Sequence, residues 1–317
     1  MREFTSFLAP LMRDFVAYRT VSNRWNDHDN SNLWLFDEYC HELFPTVTEL
    51  TQEMIDNWCS KHKNEQNNTC NRRNHAIRCF VRYLRERGKT DVNEPIYLKK
   101  QKCKNIPHAF TKTELQNFFR ACDEIPKYSR YHSAIEWEVR RLTIPIIFRL
   151  LYSGGIRGCE ARRLRVKDVD LKNGVISICL SKGINQHYIA LHDSMWSLMK
   201  KYDAEIDKIY SDRMYFFPSP GNSFFSKEWL LYNFRAMWRK YNTSRAVVYD
   251  LRHNYATENI NNWTCEGFGF HDKLVNLSKS MGHSKIEDTR YYYNLVPGLA
   301  DVIERISDDA IIPEVTY

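Results

Sequence analysis

Met281-Gly282-His283-Ser284-Lys285-Ile286-Glu287-Asp288-Thr289-Arg290-Tyr291-Tyr292 is the stretch on which the fold turns. Gly282 predicts the end of one helix, because glycine takes the left-handed conformation that closes a helix at little steric cost. Ser284 and Glu287 have the spacing of a capping box and start the next helix. His283 is thereby set at the junction and Tyr292 two turns along. Working outward, three earlier stretches share this half of the chain. Tyr152-Ser153-Gly154-Gly155-Ile156-Arg157-Gly158-Cys159-Glu160 places Arg157 at a helix start just after a glycine break, where backbone N–H groups and the helix dipole favour an anion. Glu160 follows three residues later on the same face, in position to orient that arginine. Lys182 sits in a turn between two short predicted strands, residues 175–180 and 187–191. Tyr249-Asp250-Leu251-Arg252-His253 puts Tyr249 and Arg252 on one helical face at i, i+3.

The sequence around these stretches predicts two domains. Phe110 and Leu115 form a hydrophobic staple around the capping box of Thr111 and Glu114, so a second domain starts near residue 108. Within it, Val139–Tyr152 predicts an apolar helix stopped by Gly154-Gly155, and everything after Lys227 again has helical period. The first hundred residues predict helices as well, beginning with the stripe Phe4, Phe7, Leu8, Leu11, Met12, Phe15 and Val16. Thr69 to Gly88 predicts one helix, with Ala76, Ile77, Phe80, Val81 and Leu84 buried and Arg72, Arg73, Arg78, Arg82, Arg85 and Arg87 crowding the outer face. Such a face suits a nucleic-acid backbone or a major groove. Residues 89–109 lack a period, contain Pro95 and Pro107, and carry Lys99, Lys100, Lys102 and Lys104. The expected organisation is a helical domain over 1–95, a basic linker over 96–107 and a second domain over 108–317. The fold class is mainly α with a small antiparallel β-sheet.

Composition excludes several classes. With 317 residues, 43% hydrophobic, 14% aromatic, and only 11 Gly and 10 Pro, the chain is neither fibrous nor largely disordered. No apolar run approaches the ~20 residues of a membrane span; the best, Thr143–Leu151, is interrupted by Arg149. Glu3 and Asp14 argue against a signal peptide. The 9 cysteines include no Cys-x-x-Cys pair, which suits a reducing, cytoplasmic setting. Cys265 and His271 lack the second ligand pair of a zinc finger, and no acidic cluster or His-x-His pair calls for a metal, so neither metal nor cofactor is expected. The net charge of +7 is modest, but it is unevenly spread. Residues 1–60 hold 4 basic and 10 acidic side chains, and residues 61–104 hold 13 and 4, an asymmetry that fits a polyanionic partner as well as a solvated helical face.

Taken in this order and spacing, the four stretches resemble the catalytic boxes of the tyrosine recombinase (phage integrase) family, most densely over residues 145–295. The resemblance implies a two-domain, C-shaped clamp in which a helical core-binding domain and a catalytic domain grip duplex DNA. It implies that Arg157 and Arg252 clamp the scissile phosphate, Glu160 supports the first, Lys182 is the general acid toward the leaving 5′-oxygen, His283 hydrogen-bonds the phosphate and Tyr292 is the nucleophile. Arg72, Arg73, Arg78, Arg82, Arg85 and the four linker lysines would contact DNA. Two departures stand out. Tyr249 occupies the position where the family's third box has histidine, which leaves open whether His253 or His283 takes part of the general base's role or proton removal from Tyr292 is slow. Between Arg252 and His283 the chain also carries extra residues, around 261–271. The implied activity is site-specific cutting and rejoining of DNA through a 3′-phosphotyrosine, in the integration or excision of a mobile element. The implied assembly is a homotetramer on core sites, with an accessory DNA-bending or directionality factor, and a tail stripe of Leu299, Val302, Ile303 and Ile306 docks on a neighbouring subunit or on its own domain. A type IB topoisomerase, a catalytically impaired sequence-specific DNA-binding protein and a protein independent of nucleic acid are the alternatives.

Overall fold

The structure, a computed structural model, describes residues 3–22, 24–101, 106–125, 133–179, 186–262, 270–283 and 285–293, with backbone alone at 270, 271, 290, 291 and 293. The Lys182 turn, Lys102, Lys104, Ser284, most of the 261–271 stretch and the tail stripe lie outside those residues. The chain divides into two compact units, Met1–Asn105 and Ile106–Tyr317. Among the described residues no helix is long and apolar enough to cross a membrane.

The first unit is helical: α1 (Ala9–Val21), α2 (Asp27–Leu43), α3 (Gln52–Cys59), α4 (Asn67–Arg73) and α5 (His75–Arg85). Pro10 sits at the start of α1, where its missing N–H costs nothing. The predicted stripe of Ala76, Ile77, Phe80, Val81 and Leu84 is buried against Met12, Phe15, Leu33 and Phe36. The helix expected from Thr69 to Gly88 is instead two. They part at Asn74, whose side-chain amide donates to the Cys59 carbonyl (2.7 Å) while its backbone N–H still reaches the Cys70 carbonyl (2.9 Å). The first piece also begins earlier, with Gln66 rather than Thr69 as its cap. Gly88 does close the second, at φ +62 with Lys89 N–H donating to the Leu84 carbonyl (2.9 Å). Fully buried Asp37 on α2 accepts from Thr5 N (2.7 Å), Ser6 N (3.1 Å) and Ser6 Oγ (2.5 Å), and so anchors the chain leading into α1.

The second unit contains α6 (Lys112–Asp123), α7 (Ala134–Gly154), α8 (Gly158–Arg162), β1 (Val169–Asp170), β2 (Val175–Ile178), β3 (His187–Ala190), α9 (Asp193–Asp207), β4 (Pro218–Ser219), β5 (Ser223–Phe224), α10 (Lys227–Tyr241), α11 (Val248–Asn261), α12 (Phe270–Ser280) and α13 (Glu287–Tyr293). The Thr111–Glu114 capping box is present, and Ser133 with Glu136 forms a second one that starts α7 well before Val139. Phe118, Phe148 and Phe234 pack ring on ring at the centre, the closest pair 5.0 Å apart. The strands form a three-stranded antiparallel sheet, β1-β2-β3, in which Ile176 pairs with Ile189 and both side chains are buried. Strands β4 and β5 pair in a second, two-stranded sheet, and like β1 they are two residues long, too few to show a period. The architecture is thus mainly α with small antiparallel sheets.

Replacing Asp37 by Asn keeps the shape but loses charged acceptors to three donors. It is expected to destabilise the first unit by about 2 kcal/mol, read as a shift of its urea transition with little change in that of the second unit.

Candidate active site

The site is built where α7 ends. Gly155, at φ +59, closes the helix, and a Cβ there would lie 2.2 Å from the Tyr255 ring of α11. Only glycine permits that approach, so α11 rests directly on the turn. The next residues place Arg157 at the start of α8. Its backbone N–H (2.8 Å) and Nη1 (2.7 Å) both donate to the carboxylate of Glu160, which is buried, and its Nη2 donates to the Gly282 carbonyl (3.0 Å).

Arg252 arrives from α11 and is only 2% exposed. Nη1 donates to the Gly155 carbonyl (2.6 Å), and Nη2 donates to the Met281 carbonyl (2.7 Å) and to His283 Nε2 (3.0 Å). Both guanidinium groups therefore converge on the 281–283 turn. Gly282, at φ +63, makes this possible: a Cβ would fall 2.6 Å from the His187 ring of β3 and 3.3 Å from Arg157 Nη1.

Because Arg252 can only donate, His283 Nε2 must accept, and the ring proton sits on Nδ1, which donates to Thr289 Oγ1 (2.7 Å). Burial, reinforced by the positive charges of Arg252 and Arg157, pushes the His283 imidazole down to about 4. The ring is thus neutral near pH 7, with both nitrogens engaged. Tyr292, on α13, stacks on His283 at 6.1 Å with the ring planes 7° apart, and lies 5.3 Å from the His253 ring. The Tyr292 side chain is 3% exposed. Burial pushes its phenol up to about 12, a hydrogen bond with Tyr249 adds to the rise, and Arg252 opposes it. Tyr249 itself is 47% exposed and packs edge-on against His253, 4.8 Å away. An open cleft of about 790 Å³ adjoins the turn, lined by His187, Tyr188, Asn276, Lys279, Gly282 and His283. Among the described residues no group of three or more His, Cys, Asp or Glu gathers in a way that could hold a metal.

Residues 108–297 match the model of the phage integrase family. The chain belongs to the phage integrase family. It is 27% identical over 213 residues to the putative integrase/recombinase y4rE of Sinorhizobium fredii, covering 65% of this chain and 64% of that relative, so it spans less than two thirds of the relative's length. It is 24% identical over 235 residues to the tyrosine recombinase XerC of Lactobacillus delbrueckii subsp. bulgaricus, covering 71% of each. The Tn1549 transposon integrase, solved in complex with transposon right end DNA, aligns over 95% of this chain and 99% of its own at a TM-score of 0.62 and 14% identity, a likeness of fold.

In this integrase-family chain, then, Arg157, Glu160, Tyr249, Arg252, His283 and Tyr292 gather in one place, while Lys182 lies outside the described residues. The sequence did not point to Thr289, to His187 or to the Gly155 and Met281 carbonyls. Of these only Thr289 carries a readable signal, a hydroxyl residue six positions after the histidine. In the first unit, the arginines divide. Arg78 is buried, with its guanidinium 3.2 Å from the centre of the Tyr97 ring, so it does not join an open outer face. Arg73 is held by Glu65 and by the Trp58 and Ser60 carbonyls. Arg82 is paired with Glu94 (2.7 Å), though still half-exposed. Arg72 and Arg85 are exposed, as are Lys99 and Lys100. Asn71 exchanges two hydrogen bonds with the Leu98 backbone (2.8 Å each), and Asn68 does the same with Gln101 (2.7 and 3.1 Å), which fixes both lysines on this unit.

Two outcomes follow from this geometry. The unfolded chain protonates His283 near 6.5, whereas the native ring waits until about 4. Stability contributed by the neutral ring is therefore lost as pH falls from about 6.5 to 4, and a His283→Gln variant should lose less stability over that interval in urea titrations. Gly155→Ala, which meets both the positive φ and the Tyr255 ring, should cost more than about 2 kcal/mol in the same measurement.

Proposed function

We propose that this chain is a site-specific DNA recombinase that breaks and rejoins duplex DNA through a covalent 3′-phosphotyrosine on Tyr292. The observation that carries the reading is the convergence of two guanidinium groups, from α8 and α11, on the turn whose histidine is bonded to one of them and stacked on a buried tyrosine. A phosphodiester repels nucleophiles by its charge. Planar donor forks from Arg157 and Arg252 neutralise its non-bridging oxygens and stabilise the pentavalent state more than the ground state. Arg252 is bound by carbonyls and an imidazole rather than by a carboxylate, so its charge is held ready for an external anion.

In this reading Tyr292 attacks phosphorus, the P–O5′ bond breaks, and the 5′-oxygen takes a proton from Lys182. The phosphotyrosine keeps the bond energy, so rejoining to another strand needs no nucleotide cofactor. Exposed Arg72, Arg85, Lys99 and Lys100, together with Arg82, Lys102 and Lys104, supply the DNA backbone contacts of the first unit. The partners are duplex core sites, three further copies of this chain and an accessory DNA-bending or directionality factor. The setting is the cytoplasmic integration and excision of a mobile element. A second reading, a DNA-binding protein impaired in catalysis, is favoured by Tyr249, because a phenol does not take up a proton near neutral pH as imidazole does.

The test is a pool of centrally nicked duplexes with randomised cores, incubated with the protein in EDTA and resolved in SDS. A covalent protein–DNA adduct through a 3′-phosphate is expected, with selected cores recoverable by sequencing, and Tyr292→Phe should abolish it. DNA retention without any adduct in the wild-type chain favours the second reading.

A further inference from the structure

The burial that positions Tyr292 also makes it hard to ionise. With its phenol pushed up to about 12, Tyr292 is protonated at neutral pH, so a base has to remove the proton during attack. The family's histidine at this point of the third box is Tyr249 here. A phenol can pass a proton along a hydrogen bond, but it cannot keep one. His283 is unsuited for a different reason. Its Nε2 lone pair faces Arg252, its Nδ1–H is donated to Thr289, and two guanidinium groups oppose any gain of positive charge.

Among the described residues, one other imidazole touches the Tyr292 ring. His253 follows Arg252 on α11, is half-buried, and has its ring 5.3 Å from that of Tyr292 and 4.8 Å from that of Tyr249. We infer that His253 is the base that accepts the Tyr292 proton, directly or across the Tyr249 hydroxyl, in place of the histidine missing at position 249. The inference rests on the recombinase reading above. In the cleavage step the Tyr292 O–H bond breaks and its proton bonds to an imidazole nitrogen of His253. The phenolate electron pair forms the new O–P bond, the P–O5′ pair leaves with the 5′-oxygen, and that oxygen takes a proton from Lys182. Rejoining runs the same transfers backward, with His253 returning its proton to Tyr292.

The groups acting on His253 make this workable. Among the described residues they are Tyr249, Asp250 and Arg252 of its own helix and Tyr292 of α13. Burial, with Arg252, holds the imidazole below its usual range, so it is unprotonated and ready near pH 7. The Asp250 carboxylate pulls the other way and favours the imidazolium once it forms. The helix that supplies the phosphate clamp at Arg252 thus supplies the base at the next residue.

The experiment is single-turnover cleavage of a selected nicked duplex by wild-type protein, His253→Gln and Tyr249→Phe, each measured from pH 5 to 9. His253→Gln is expected to cleave about 10²- to 10³-fold more slowly at pH 7, to lose the acid limb of the profile and to gain on the wild type as pH rises. DNA retention should be unchanged. Tyr249→Phe should keep the acid limb if the transfer is direct and lose it if the proton crosses the Tyr249 hydroxyl. A His253→Gln variant within about threefold of wild type, or one with the wild-type acid limb, overturns the inference. If that variant melts too low to assay, the wild type decides. The acid limb of its cleavage profile should coincide with the titration of His253 observed by NMR in Tyr292→Phe bound to DNA, and a mismatch of a pH unit or more overturns the assignment. Loss of the adduct in Tyr292→Phe with no effect at His253 sinks this inference alone. Absence of any adduct in the wild type sinks the recombinase reading with it.

Discussion

The buried guanidinium of Arg252 is the constraint from which the second unit's site follows. One side chain joins the carbonyl of Gly155, 97 residues earlier, to the carbonyl of Met281, 29 residues later, and to His283. A charge removed from water at 2% exposure is costly unless it is paired and hydrogen-bonded, and carbonyl dipoles offset only part of that cost. The chain holds this group in place through two glycines, each closing a helix and each too tightly packed to carry a side chain.

The two arginines are held by opposite devices. Arg157 is tied to its own helix by a buried carboxylate that takes both its backbone and its side-chain N–H, so its direction is set locally. Arg252 is set by groups distant in sequence, and it in turn sets the tautomer of His283. From there the order passes to Thr289 and, by stacking, to Tyr292. The positions of these groups are therefore interdependent: the shape of the 281–283 turn governs both guanidinium groups and the ring beside the tyrosine.

The first unit shows how a basic stretch is apportioned. Of the arginines along α4 and α5, Arg78 and Arg73 serve the fold, one against an aromatic ring and the other as a tie to Glu65 and two carbonyls. Still exposed are Arg72, Arg85 and part of Arg82, joined by Lys99 and Lys100 on a segment that asparagine side chains fasten in place. The exposed face is smaller than the number of arginines along it, because a guanidinium is as good a packing and hydrogen-bonding group as it is a charge.

Much was determined by the sequence alone. Capping chemistry at Thr111–Glu114, the apolar stripe from Ala76 to Leu84, the glycine stop after α7 and the order of the four stretches are local properties, and local properties are legible at 3.6- or 2-residue period. The single helix expected from Thr69 to Gly88 is two, parted at Asn74, whose side-chain amide reaches a carbonyl fifteen residues back in sequence. Strands β1, β4 and β5 are each too short to have a period. What only the tertiary structure decided is which polar groups meet: Arg252 with Gly155 and Met281, His283 with Thr289, His253 with Tyr292, and Arg78 with Tyr97. Hydrogen bonds and ring contacts of that kind depend on distances between segments far apart along the chain, and a linear pattern carries no record of those distances until packing sets them.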